Sequence, residues 1–172
     1  MANPGAIIAA GILGGLGAVM GQAIKESLHH IITKNAAFEQ ARKLSNGKGI
    51  LNLGCGPHRT YQAQMIAEQP EVLGNIDIAP NGMPHFIQLD IETERLPFAD
   101  KQFGCVFASH ILEHLDNWQF ALEEIVRVAD WVVVVLPHPT NFGGWLDPEH
   151  RQHFSVDDIY EIAQIPNVTV YY

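Results

Sequence analysis

Positive charge is scarce in this chain: 10 Lys and Arg stand against 19 Asp and Glu, a formal net charge of -9 at pH 7. Binding to a phosphate backbone needs a basic face, so nucleic acid is excluded as the main partner. Cysteine is scarcer still, with two in 172 residues. Cys55 and Cys105 both fall in apolar runs that read as buried strands, where small core side chains are expected, and no disulfide framework is implied. The nine histidines are scattered and no Cys/His group has zinc-finger spacing, so no metal site is expected. The length permits one domain and an appendage.

Charge is missing altogether from residues 5–24, where Gln22 is the one strongly polar side chain. About 20 residues of helix reach ~30 Å, enough to cross a bilayer. Gly11/Gly15 and Gly17/Gly21 have the spacing that lets helices approach closely, and glycine is tolerated in membrane helices. A secretory signal peptide would carry basic residues ahead of the apolar run, and there are none. The expectation is a membrane-embedded helix over residues 5–24, with a glycine-rich helix packed on a partner protein as its competitor. Lys25, Lys34, Arg42, Lys43 and Lys48 follow, against only Glu26 and Glu39. That excess predicts a single-pass protein whose body lies on the cytoplasmic side. Residues 26–44 read as an amphipathic helix with Leu28, Ile31, Ile32 and Phe38 as its apolar positions and Ser45-Asn46-Gly47 as its stop, serving as a cap on the sheet or as a membrane-surface element. The expected organisation is thus a hydrophobic helix over residues 1–24, a juxtamembrane helix and linker over 25–48, and one domain over 49–172.

In that domain, apolar runs alternate with helical patterns, which predicts an α/β fold with a mostly parallel sheet and helices on both faces. The run Gly49-Ile50-Leu51-Asn52-Leu53-Gly54-Cys55-Gly56 reads as a buried strand followed by a turn where backbone approaches closely. Val72 to Asp77 forms a second run, ending in an acidic residue about 20 positions after Gly56, where a carboxylate can accept from ribose hydroxyls. A third run, from His85, ends at Asp90 and Ile91. Phe103 to Ser109 and Trp131 to Leu136 predict the next two strands, the latter apolar on both faces. Helices are expected over residues 61–68 and 118–128, the second with Phe120, Ala121, Ile125 and Val128 inward. Ser155-Val156-Asp157-Asp158 caps a helix running to Ala163, and Val168 to Tyr172 forms the last strand.

This order of motifs resembles the class I S-adenosylmethionine-dependent methyltransferases of the small-molecule type. The resemblance rests on Leu51-Asn52-Leu53-Gly54-Cys55-Gly56, Leu96-Pro97-Phe98-Ala99-Asp100, the segment Phe103 to Leu115, and Asp147-Pro148-Glu149-His150-Arg151-Gln152-His153-Phe154-Ser155, and covers about residues 49 to 165. It implies a Rossmann-like fold binding S-adenosylmethionine through Asn52, Gly54 and Gly56, with Asp77 on the ribose, Asp90 and Ile91 at the adenine, and Ser109 beside the cofactor. It further implies a small-molecule or lipid-like substrate, with His110, His114 and His150 as candidates for proton removal. His110-Ile111-Leu112-Glu113-His114 also matches the His-x-x-Glu-His pattern of zinc peptidases, but it follows directly on a buried strand instead of lying along a helix.

Two departures stand out. Val128-Ala129-Asp130 runs straight into Trp131 where the family has a Lys-Pro-Gly-Gly turn, and one strand-like segment follows where the fold usually ends in an antiparallel hairpin. They support an alternative reading, a catalytically inactive accessory subunit of a membrane complex, although the intact first motif, both aspartates and the Ser109 to His114 segment favour the enzyme.

Overall fold

The computed structural model describes residues 25, 28–56, 61–141 and 147–172. The expected hydrophobic helix over residues 5–24 lies outside them. Among the described residues no helix is long and apolar enough to cross a membrane. Two compact units are distinguished, Met1–Thr33 and Lys34–Tyr172. In the smaller unit residues 28–33 are helical, and Leu28, Ile31 and Ile32 are exposed, so these expected apolar positions are not core.

The larger unit opens with helix α1, residues 34–45. Its elements then follow as β1 (Ile50–Leu53), α2 (Tyr61–Ala67), β2 (Val72–Asp77), β3 (Phe86–Gln88), β4 (Phe103–Ser109), a 3-10 turn (Leu112–His114), α3 (Trp118–Val128), β5 (Ala129–Val135), α4 (Val156–Ala163) and β6 (Val168–Tyr171). The sheet order is β3-β2-β1-β4-β5-β6, and every strand pairing is parallel. β6 lies directly beside β5, so the sheet has no antiparallel member among the described residues.

Alternation along the strands builds two cores, one on each face. Cys105 and Phe107 of β4 join Ile50, Val133 and Val135 under α1, whose Ala37, Phe38 and Ala41 are buried there. Phe38 meets the Phe107 ring edge-on at 5.3 Å. Val106 and Ala108 join Leu51, Leu53, Val132 and Val134 under α3 and α4, which contribute Ala121, Leu122, Ile125, Ile159 and Ile162. Phe120 is only half-buried, and Leu122 takes the inward place expected of it. β5 starts at Ala129, earlier than expected, because α3 ends on an extended Ala129 without a glycine turn. Trp131 is 38% exposed, so the start of β5 is not buried on both faces. β3 stops at Gln88, short of Asp90. Ser155 and Asp158 cap α4 reciprocally, as their spacing predicts.

The sheet order reverses between β1 and β4, so the carboxyl ends of these two strands form the switch point of the sheet. This is where open α/β sheets receive ligands.

Candidate cofactor and active site

Gly54 and Gly56, at the exit of β1, have φ of +64° and +74°, a region that favours glycine. Their environments differ. A Cβ on Gly54 would lie 2.8 Å from the Ile111 side chain, whereas one on Gly56 would meet nothing within 4 Å. Gly54 is therefore required by packing between the β1 and β4 exits, while Gly56 faces open space. Gly54 N–H and Cys55 N–H donate to the Ile76 carbonyl at 2.9 and 3.1 Å, tying the loop to β2.

Asp77 ends β2 and accepts from Gly56 N–H at 2.8 Å and Ala79 N–H at 3.0 Å, one on each oxygen. A carboxylate offers about four lone-pair positions, so both oxygens keep acceptor capacity for hydroxyls. Asn81 braces the same loop, its amide donating to Cys55 Sγ at 3.3 Å and to the Gly56 carbonyl at 3.1 Å. Cys55 is buried in this loop and not in a strand; burial pushes its thiol up, which leaves it a poor nucleophile.

Three of the residues assigned to the cofactor by resemblance have other engagements. Asn52 is buried and donates to the Asn75 side chain at 2.8 Å; Asn75 in turn holds the Ala67 and Pro84 carbonyls, so this pair clamps the core beside α2. Asp90 caps its own turn, accepting from Glu92 N–H and the Thr93 hydroxyl, each at 3.0 Å. Ile91 is buried in the core under α3.

The exit of β4 is different. Ser109 is buried, and its Oγ has no hydrogen-bond partner among the described residues. His110 follows with φ +54°, held by its N–H to the Val135 carbonyl at 2.9 Å. This backbone turns its Nδ1 to within 3.0 Å of Glu113 Oε1. Glu113 is 0% exposed, and its other oxygen, Oε2, is unpartnered. Lys34 of α1 lies in its field: burial pushes the Lys34 ammonium down while the Glu113 charge opposes that. Residues 112–114 form a single 3-10 turn, so the paired histidines of a zinc peptidase helix are not formed.

Residues 147–154 dock on this turn as a strap. Arg151 and Gln152 N–H both donate to the Glu113 carbonyl, at 2.8 and 2.9 Å. The Arg151 guanidinium pairs with Asp116 at 2.7 Å and Glu92 at 3.3 Å, and Phe154 packs edge-on against Trp118. His114 Nδ1 hydrogen-bonds the Glu149 carbonyl at 3.0 Å, and the His114 and His150 rings lie 4.9 Å apart. The structure thus gathers His114 and His150 beside Glu113 and sets His110 on that carboxylate. Lys34, Asn81 and Glu113 were not among the residues expected to form the site. The turn composition Pro80-Asn81-Gly82 is the one signal that pointed toward Asn81.

No curated protein matches this chain. The family model described as a methyltransferase domain matches residues 51–130, from β1 to the start of β5, which includes the glycine loop, both aspartates and the Ser109 to His114 segment but not the strap. Residues 51–130 are thus similar to a methyltransferase domain, and the match spans the parallel strands β1 to β4 whose exits carry the glycine loop and the Ser109 to His114 segment.

Proposed function

We propose that the protein is an S-adenosylmethionine-dependent methyltransferase acting on a small or lipid-like substrate at a membrane, with residues 5–24 embedded and the domain on the cytoplasmic side. The observation that carries the enzymatic reading is the β4 exit, where His110 is hydrogen-bonded to a fully buried carboxylate beside the unpartnered Ser109 hydroxyl. The membrane part is supported by the uncharged run and the basic excess that follows it.

The residues present fit the cofactor: Gly56 leaves room where a side chain would intrude, and Asp77 retains acceptor capacity for the ribose. Asp90 and Ile91 would flank the adenine, with Gly54 acting by shaping the loop. S-adenosylmethionine supplies an electrophilic methyl group on a sulfonium, and the protein contributes binding, alignment and exclusion of water. Because a carboxylate only accepts, His110 Nδ1–H donates to Glu113 and Nε2 is the proton-accepting atom. His110 then serves as general base toward the methyl acceptor, and the buried Glu113 charge stabilises the imidazolium that forms. The strap, with His150, covers the substrate side.

Calorimetry of the full chain with S-adenosylmethionine tests the cofactor reading, with Asp77→Ala as control. Micromolar binding lost in the variant is expected, and absence of heat at millimolar ligand refutes it. Carbonate extraction tests the membrane reading; release into the supernatant refutes it. A second reading, an inactive accessory subunit, is favoured by the local capture of Asp77 and Asp90 by their own loops. It predicts purified protein that neither retains nor binds the cofactor in its native assembly.

A further inference from the structure

We propose that Glu113, His114 and His150 form a binding site for a divalent transition-metal ion of the zinc type. This goes beyond the methyltransferase reading and does not rest on it. One ligand atom from each of the three side chains lies within 4.8 Å of the others. Tetrahedral zinc with imidazole and carboxylate ligands places donor atoms roughly 3.4 Å apart, so side-chain adjustments of about 1 Å complete the set.

Further observations point to a cation. Glu113 Oε2 is buried with no hydrogen-bond partner among the described residues, Lys34 included, an arrangement that is costly unless something occupies that oxygen. His114 donates Nδ1–H to the Glu149 carbonyl, the outer contact that fixes a metal-binding imidazole with its Nε2 lone pair available. His110 on Glu113 Oε1 provides the corresponding contact for the carboxylate. Asp147 Oδ2 lies 3.8 Å from His150 Nε2, too far for a hydrogen bond, and adds negative charge at the strap side. His110 is not a ligand in this arrangement; its place is taken by His150, brought by the strap. A bound ion would therefore fasten the strap to the β4 exit.

The test uses tag-free full-length protein, stripped with chelator and titrated with Zn²⁺ by calorimetry, with metal content measured after desalting. One equivalent bound at micromolar Kd or tighter is expected, weakened about 100-fold or more in His150→Ala and in Glu113→Gln, and unchanged in His153→Ala. Cobalt substitution should give a tetrahedral visible spectrum that His150→Ala abolishes. His150→Gln replaces the alanine variant if circular dichroism shows that alanine perturbs the fold. No stoichiometric binding, or binding that survives loss of His150 within threefold, overturns the proposal. The readout requires neither S-adenosylmethionine nor turnover, so a failed methyltransferase reading leaves it separately decidable.

Discussion

Among the described residues two glutamates are buried, and they are treated in opposite ways. Glu124 of α3, 4% exposed, has both oxygens fully engaged: Oε1 accepts from Arg95 and Arg127, and Oε2 from Leu96 N–H at 2.9 Å and Arg127 at 2.7 Å. The Arg127 hydrogen bonds hold its carboxyl far below the usual range, at about 2. Glu113, 0% exposed, has one side-chain partner on one oxygen and none on the other. The first carboxylate is a joint between α3 and the Leu96 to Asp100 loop, which Arg127 extends to the Leu96 and Phe98 carbonyls. The second keeps unspent binding capacity at the β4 exit. A buried charge that a fold uses for stability is saturated with donors, whereas one held for chemistry or a ligand is left incomplete.

Exchanging the partners breaks the comparison if it is wrong. His110→Ala should lower kcat by about 10²- to 10⁴-fold in a methyl-transfer assay, the range for loss of a general base. Because it also takes a hydrogen bond from the fully buried Glu113 carboxylate, it should lower stability by about 2–3 kcal/mol, leaving most of the protein folded for the assay. A variant with wild-type kcat refutes the role of His110. Arg127→Met should do the reverse. It strips a buried carboxylate of its main partner, a change that costs about 3 kcal/mol or more in urea unfolding, while the folded fraction keeps its turnover. If Arg127→Met is tolerated and His110→Ala unfolds the protein, the two carboxylates have been assigned the wrong way round.

The same contrast marks what could be read from the sequence. β2, β4 and α3 were legible to the residue because each is an apolar run or a segment of clear helical period, and the α4 cap because its chemistry lies within four positions. The saturated Glu124 was not legible, since its donors come from residues 95, 96 and 127, across a loop whose path only folding sets. Glu113 was visible as part of a motif, but its burial and its meeting with His150 depend on a strap that arrives more than thirty residues later. Asn52 and Asp90 are motif positions in the sequence; that Asn52 also hydrogen-bonds Asn75 and Asp90 also accepts from Thr93 is set by the fold. Leu28, Ile31 and Ile32 follow helical spacing yet are exposed, because periodicity marks a face without saying what covers it.

Acid sharpens the comparison further. Glu124 has a folded pKa of about 2, below the ordinary glutamate value, so its contribution is present above the unfolded pKa and is lost as pH falls through that interval. The amount is a few kcal/mol. Asp158, held down by the Ser155 hydroxyl and N–H, and Glu71, held down by its own backbone N–H and by Arg42, act in the same direction. Wild-type protein should therefore lose urea resistance between about pH 4.5 and 2, with Glu124→Gln losing distinctly less over the same range. Parallel loss in both proteins would show that Glu124 is not the titrating joint.

The smallest expected effect separates the two glycines of the β1 exit. Both have positive φ, so alanine at either costs about 1–2 kcal/mol in backbone strain. Gly54→Ala also drives a methyl into Ile111, adding about 1–3 kcal/mol of overpacking. Gly56→Ala meets nothing, so its stability loss should stop at the backbone term while its methyl intrudes where the cofactor is proposed to lie. The discriminating variant is Ile111→Val, which removes Cδ1, the outermost of the three Ile111 atoms that crowd Gly54, and leaves Cβ and Cγ1 in place. Combined with Gly54→Ala it should recover part of the lost stability in urea unfolding, and combined with Gly56→Ala it should recover none. S-adenosylmethionine binding, measured by calorimetry on the folded variants, should fall in Gly56→Ala and be retained more fully in the Gly54→Ala, Ile111→Val pair. Equal rescue of both glycine variants would mean that the open space at Gly56 is not a ligand's space, and the β1 exit would then be structural throughout.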